Sequence, residues 1–75
     1  MNKKERLRLL NLVEIVQDCR VVVNDIRKGE EAKFKKFKLG TRTSPIALQI
    51  LDDEEYLTDI IMDLDDIINR LKRVL

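Results

Sequence analysis

Apolar residues recur along this chain at helical spacing. Leu9, Leu12, Val16, Cys19, Val23 and Ile26 follow one another at steps of 3, 4, 3, 4 and 3. That alternation is the seam of a helix packed lengthwise on another helix. Val13, Ile15 and Val22 flank the seam and widen the apolar arc to about half the circumference, given the ~100° turn per residue. A strip that wide can touch two neighbours. Leu7, Leu10 and Val21 fall on the opposite side. The pattern predicts a first helix from about Lys3 to Lys28.

Arg27-Lys28-Gly29 reads as a helix stop, with cations in the last turn and glycine just beyond. Phe34 and Phe37 nevertheless return to the seam if the helix runs through Gly29 in phase. Residues 29–39 are therefore expected to be a joint or an extension of the helix, with a weak point or kink at Gly29. A loop over 40–43 follows.

The last helix should occupy about 45–75. Ser44 can accept a hydrogen bond from first-turn amides, and Pro45 at the first helical position has no amide to leave orphaned. Ile46, Ile50, Leu57, Ile60, Leu64, Ile67, Leu71 and Val74 keep one seam, interrupted at Asp53, and Ile61, Ile68 and Leu75 widen it. Asp52 and Glu55 have capping-box spacing, with Leu51 and Tyr56 placed as a hydrophobic staple, so a break at Leu51-Asp52 is a competing expectation.

The expected fold is all-α: an antiparallel two-helix hairpin forming a single helical domain over 1–75, kinked or with a short extra helix in the middle. Length then changes the picture. A 75-residue chain buries only about 60% of its unfolded surface when it folds alone. Two helices in a hairpin leave the outer part of each wide arc wet, and two hairpins packed together cover both. The expected assembly is a homodimeric four-helix bundle, with Leu12, Val16, Val23, Leu64 and Leu71 at the dimer interface.

Charge is divided between the halves. Residues 1–43 hold twelve Lys and Arg against six Asp and Glu, while residues 44–75 hold three against eight. The plain explanation is that the halves lie side by side and attract. Within the last helix, early acids and late Arg70, Lys72 and Arg73 also complement the helix dipole.

Candidate chemistry is sparse. The chain has no histidine and one cysteine, which excludes an internal disulfide and the usual zinc site. Nucleophile elbows and phosphate-binding glycine loops are missing from the sequence. Cys19, on the seam between Val16 and Val23, reads as a buried small hydrophobe. Asp59, Asp63 and Asp66 have the spacing of a magnesium-binding helix face, with Glu14 and Asp18 as further donors, which makes a metal-dependent nucleotide hydrolase one alternative. A solvated acidic face is the plainer reading.

The segment Lys33-Phe34-Lys35-Lys36-Phe37-Lys38, with Arg42 beyond it, interleaves cations and rings as nucleic-acid grooves do. Its plainer reading is a basic face whose phenylalanines turn to the core. These residues point to a non-enzymatic interaction or regulatory module with no catalytic residues, no metal and no cofactor. It binds a second copy of itself and a further protein partner through Lys33, Lys35, Lys36, Lys38 and Arg42. Nucleic-acid binding by residues 27–42 is the second alternative. No stretch approaches the ~20 uncharged residues that span a bilayer, and a cytoplasmic protein without membrane contact is expected.

Overall fold

The computed structural model describes residues 1–37 and 45–75. Two α-helices account for nearly all of them: α1 over Lys3–Phe37 and α2 over Pro45–Val74. The expected loop over 40–43 and the Ser44 cap lie outside the described residues.

Helix α1 opens on a cap. Asn2 Oδ1 accepts a hydrogen bond from the Glu5 amide at 2.9 Å, and the Asn2 carbonyl accepts from the Arg6 amide at 3.1 Å. One of the orphan first-turn donors is thereby satisfied. The helix then runs without interruption through Gly29, whose φ is not positive. Glycine lowers helix propensity by roughly 1 kcal/mol relative to alanine. Continuity is maintained by the flanking turns: Arg27 Nη1 lies 3.4 Å from Glu31, and Lys33 Nζ donates to Glu30 Oε1 at 2.9 Å.

Helix α2 is likewise continuous, with no break at Leu51-Asp52. Those residues lie mid-helix, where Gln49 Nε2 donates to Asp53 Oδ1 at 3.1 Å.

The helices pack as an antiparallel hairpin: Arg20 pairs with Asp65, and Arg27, further along α1, reaches back to Glu54. The fold is long and thin, 60 × 15 × 12 Å.

The seam differs from the expected one. On α1 the inward positions are Leu9, Val13, Val16, Arg20, Val23, Arg27, Glu30 and Phe34. On α2 they are Ala47, Ile50, Glu54, Leu57, Ile61, Leu64, Ile68 and Leu71. Both sets step by alternating threes and fours, as a heptad seam does. Half of the seam sites of each helix are kept and half move on by one residue, a rotation of ~50° given the ~100° turn per residue. Leu12, Cys19 and Ile26 give way to Val13, Arg20 and Arg27; Ile60 and Ile67 give way to Ile61 and Ile68. The reason is polar. The rotation brings Arg20 to Asp65 and Arg27 to Glu54, pairs that the expected seam would have held apart.

The core that results is small. Val13, Ala47, Ile50, Ile61 and Ile68 are its buried apolar members, and no large side chain is fully enclosed.

Candidate interaction surface

The principal feature outside the seam is an apolar face. On α1, Leu12, Ile15, Cys19, Val22 and Ile26 step by 3, 4, 3 and 4 along a second stripe, and all five are exposed. Ile15 and Val22 keep 58% and 57% of their surface accessible, well above what a packed helix face shows. On α2, Ile46, Ile60, Ile67 and Val74 are exposed beside the half-buried Leu57, Leu64 and Leu71.

The two stripes lie on the same side of the hairpin. On each helix the exposed stripe is displaced from the seam toward the same sense of rotation, and antiparallel packing turns both displacements to one face. A shallow depression shared by Ile26 and Glu30 of α1 with Asp53, Tyr56 and Leu57 of α2 marks where they adjoin. A second groove, on α1, is lined by Ile15, Asp18, Cys19, Val22 and Val23. Contiguous exposed apolar surface makes this face the candidate interaction surface.

The residues expected at a dimer interface divide between the two surfaces. Leu12 belongs to the exposed face. Val16, Val23, Leu64 and Leu71 are half-buried at the edge between seam and face. Cys19, expected to be buried, is exposed at the middle of the α1 stripe because Arg20 takes the inward position.

Charged pairs occupy the seam itself. The Arg20 guanidinium clasps Asp65 through two hydrogen bonds, from Nε to Oδ1 and from Nη2 to Oδ2, the latter at 3.2 Å. These bonds and the carboxylate charge raise the Arg20 pKa above its already high ordinary value, so the guanidinium keeps its charge. Arg27 reaches Asn24 Oδ1 from Nε and Nη2 at 3.3 and 3.2 Å, and its Nη1 lies 3.7 Å from Glu54 Oε1. Polar layers in an otherwise apolar helix seam fix register and orientation at some cost in stability.

The basic segment is less free than its sequence suggests. Lys33 is tied to Glu30 at 2.9 Å and Lys35 lies 3.5 Å from Glu31, both on the solvent side, and Lys36 is exposed. Phe34 is half-buried on the seam. Lys38 and Arg42 lie outside the described residues.

On the acidic helix, Asp59, Asp63 and Asp66 are exposed, and Asp66 is engaged by Arg70 at 3.1 Å. Among the described residues no group of three or more metal-ligating side chains converges. No described helix is long and apolar enough to cross a membrane.

Sequence reasoning found the apolar arcs and missed the polar layer. Arg20 is flanked by Cys19 and Val21, and nothing in the spacing alone distinguishes a seam arginine from a solvated one. The signal was the matching interval: Arg20 and Arg27 are seven residues apart, one heptad, as seam residues are. Compared with known proteins, the sequence matches no family model, and neither a curated protein nor a solved structure matches it significantly.

Proposed function

We propose that this protein is a non-enzymatic interaction module that works as a homodimer: two hairpins close their apolar faces on each other into a four-helix bundle and offer charged surfaces to a macromolecular partner. One observation carries the reading. The hairpin leaves on one side an α1 stripe from Leu12 to Ile26 that no charge interrupts, beside the exposed Ile46, Ile60, Ile67 and Val74 of α2. A second copy is the natural occupant because its face has the same width and the same heptad spacing, which is what knobs-into-holes packing of a bundle requires.

Around such a bundle the exposed lysines near the connection, Lys33, Lys35 and Lys36, are the surface offered to a protein with acidic groups. Nucleic acid would be attracted by the same charges, and a gel shift whose affinity falls steeply with salt would identify it.

Sedimentation at micromolar concentration tests the assembly. The wild-type chain should sediment as a dimer. Ile15→Lys, which touches the exposed stripe and not the hairpin seam, should yield a helical monomer. A wild-type chain that stays monomeric and folded would remove the proposal.

A further inference from the structure

Two regions of the hairpin are rich in cations, and folding treats them differently. Near the connection, Lys33 is held by Glu30 at 2.9 Å and Lys35 lies 3.5 Å from Glu31. The open end, residues 1–10 and 68–75, carries seven Lys and Arg against one Glu. Of those seven, Arg70 is paired, with Asp66 at 3.1 Å. Among the described residues no carboxylate pairs with Lys3, Lys4, Arg6, Arg8, Lys72 or Arg73. The nearest acids on α2 are engaged, Asp65 by Arg20 and Asp66 by Arg70. Positive charge is thus left over after folding, at one tip of a molecule 60 Å long.

Apolar side chains stand among these cations. Leu7 and Leu10 keep 54% and 47% of their surface accessible. Lys3, Leu7 and Leu10 follow at steps of four and three, so they share one side of α1. Leu10 comes one residue after the seam position Leu9, and on α2 Lys72 comes one residue after Leu71. Antiparallel packing turns both to the same side of the hairpin. It is the side from which Asp65, one heptad before Lys72, reaches Arg20. The stripe from Leu12 to Ile26 takes positions one residue before the seam and lies on the other side, and Glu5, one heptad before Leu12, goes with it. Every residue from 1 to 8 is exposed, even Arg6, one heptad before the buried Val13. The first two turns of α1 therefore have no packed neighbour.

An occupant of this patch must supply negative charge and also take up leucine. A second copy of this chain does not, because its corresponding patch carries the same cations and like charges repel. A nucleic-acid backbone meets the cations but offers Leu7 and Leu10 nothing apolar. Residues 1–10 and 68–75 also hold no aromatic ring to stack on bases. An anionic lipid surface meets both needs: headgroup charge draws the lysines and arginines, and the leucines enter the boundary beneath. No described helix is long and apolar enough to cross a bilayer, and a surface contact needs none.

We infer that the open end of the hairpin docks on an anionic bilayer surface through Lys3, Lys4, Lys72 and Arg73, with Leu7 and Leu10 inserted between the headgroups. Such a contact departs from the expectation of a protein without membrane contact. It is independent of the homodimer, whose apolar face lies on the other side of the hairpin.

Flotation of the full chain with vesicles tests the contact. Vesicles of phosphatidylcholine mixed with phosphatidylserine should carry the chain up the gradient, vesicles of phosphatidylcholine alone should not, and added salt should release it. Lys3→Glu with Lys4→Glu should weaken binding by about tenfold or more, since every cation near an anionic surface contributes. Leu7→Gln with Leu10→Gln, which keeps all the cations, should weaken it by roughly tenfold. These four side chains are exposed, so circular dichroism should show both variants as helical as the wild type. A wild-type chain that does not float with the anionic vesicles would overturn the proposal, whether or not it shifts duplex DNA in a gel. So would a leucine variant that floats as well as the wild type, because the cations would then be acting alone.

Discussion

Two surfaces of the same helices invite comparison: the seam inside the hairpin and the stripe one residue position away from it. The inner seam holds Val13, Ile61 and Ile68, but also Arg20, Arg27, Glu30, Glu54 and, beside it, Asp65. The outer stripe of α1 is apolar at five consecutive heptad sites from Leu12 to Ile26. On α2 the order is reversed, and the packed seam is interrupted by charge only at Glu54. On α1, by contrast, Arg20 and Arg27 lie at the seam and the uncharged stripe faces out. The comparison teaches that on α1 charged side chains share the packed seam while an uncharged apolar stripe stays exposed beside it.

Neighbouring residues break the comparison most directly. Ile61 is 8% exposed and Ile60 44% exposed, so consecutive isoleucines sample the two surfaces. Ile61→Ala should destabilise by about 2–4 kcal/mol at any protein concentration, since it empties a buried site. Ile60→Ala should cost under about 1 kcal/mol in dilute solution and more as concentration rises, because a group buried only in the dimer is coupled to association by mass action. Urea melts at two concentrations a hundredfold apart check both. Equal, concentration-independent losses would mean that the outer face stays wet.

A subtler experiment replaces the polar layer. With Arg20→Leu and Asp65→Leu together, the pair that fixes orientation is exchanged for hydrophobes, a change that is often neutral or stabilising. Thermal stability should hold or rise while the two helices lose their single register, read as broadened or doubled amide resonances in place of one set. A double variant that melts far below the wild type would show that the pair supports the fold and not only its orientation.

The smallest effect belongs to Gly29. A Cβ built there meets nothing within 4 Å, and φ is ordinary for a helix. Gly29→Ala should therefore stabilise by roughly 0.5–1 kcal/mol, the backbone-entropy difference between the two residues. A loss instead would indicate that the close approach of a second chain needs the bare backbone at this site, which continues the outer stripe beyond Ile26.

Helix positions were legible in the sequence because periodicity is a local property. Pro45 opens α2, the apolar spacing predicts both rods, and Phe34 at in-phase distance from the seam already argued for a helix through Gly29. The width of each arc was legible too. The rotational choice was not. Leu12 and Val13, or Ile67 and Ile68, are equally apolar, so hydrophobicity cannot say which turns inward.

The sequence by itself thus determined two amphipathic helices with arcs too broad for one contact, and a division of charge between halves. Which part of each arc is buried was decided only when the helices met. A pair such as Arg20–Asp65 joins residues 45 positions apart, and its energy depends on distance and geometry that exist only in the folded chain. Apolar burial sets how much surface must be covered. Ion pairing across the seam joins residues of the two helices, and what remains outside is an exposed apolar face.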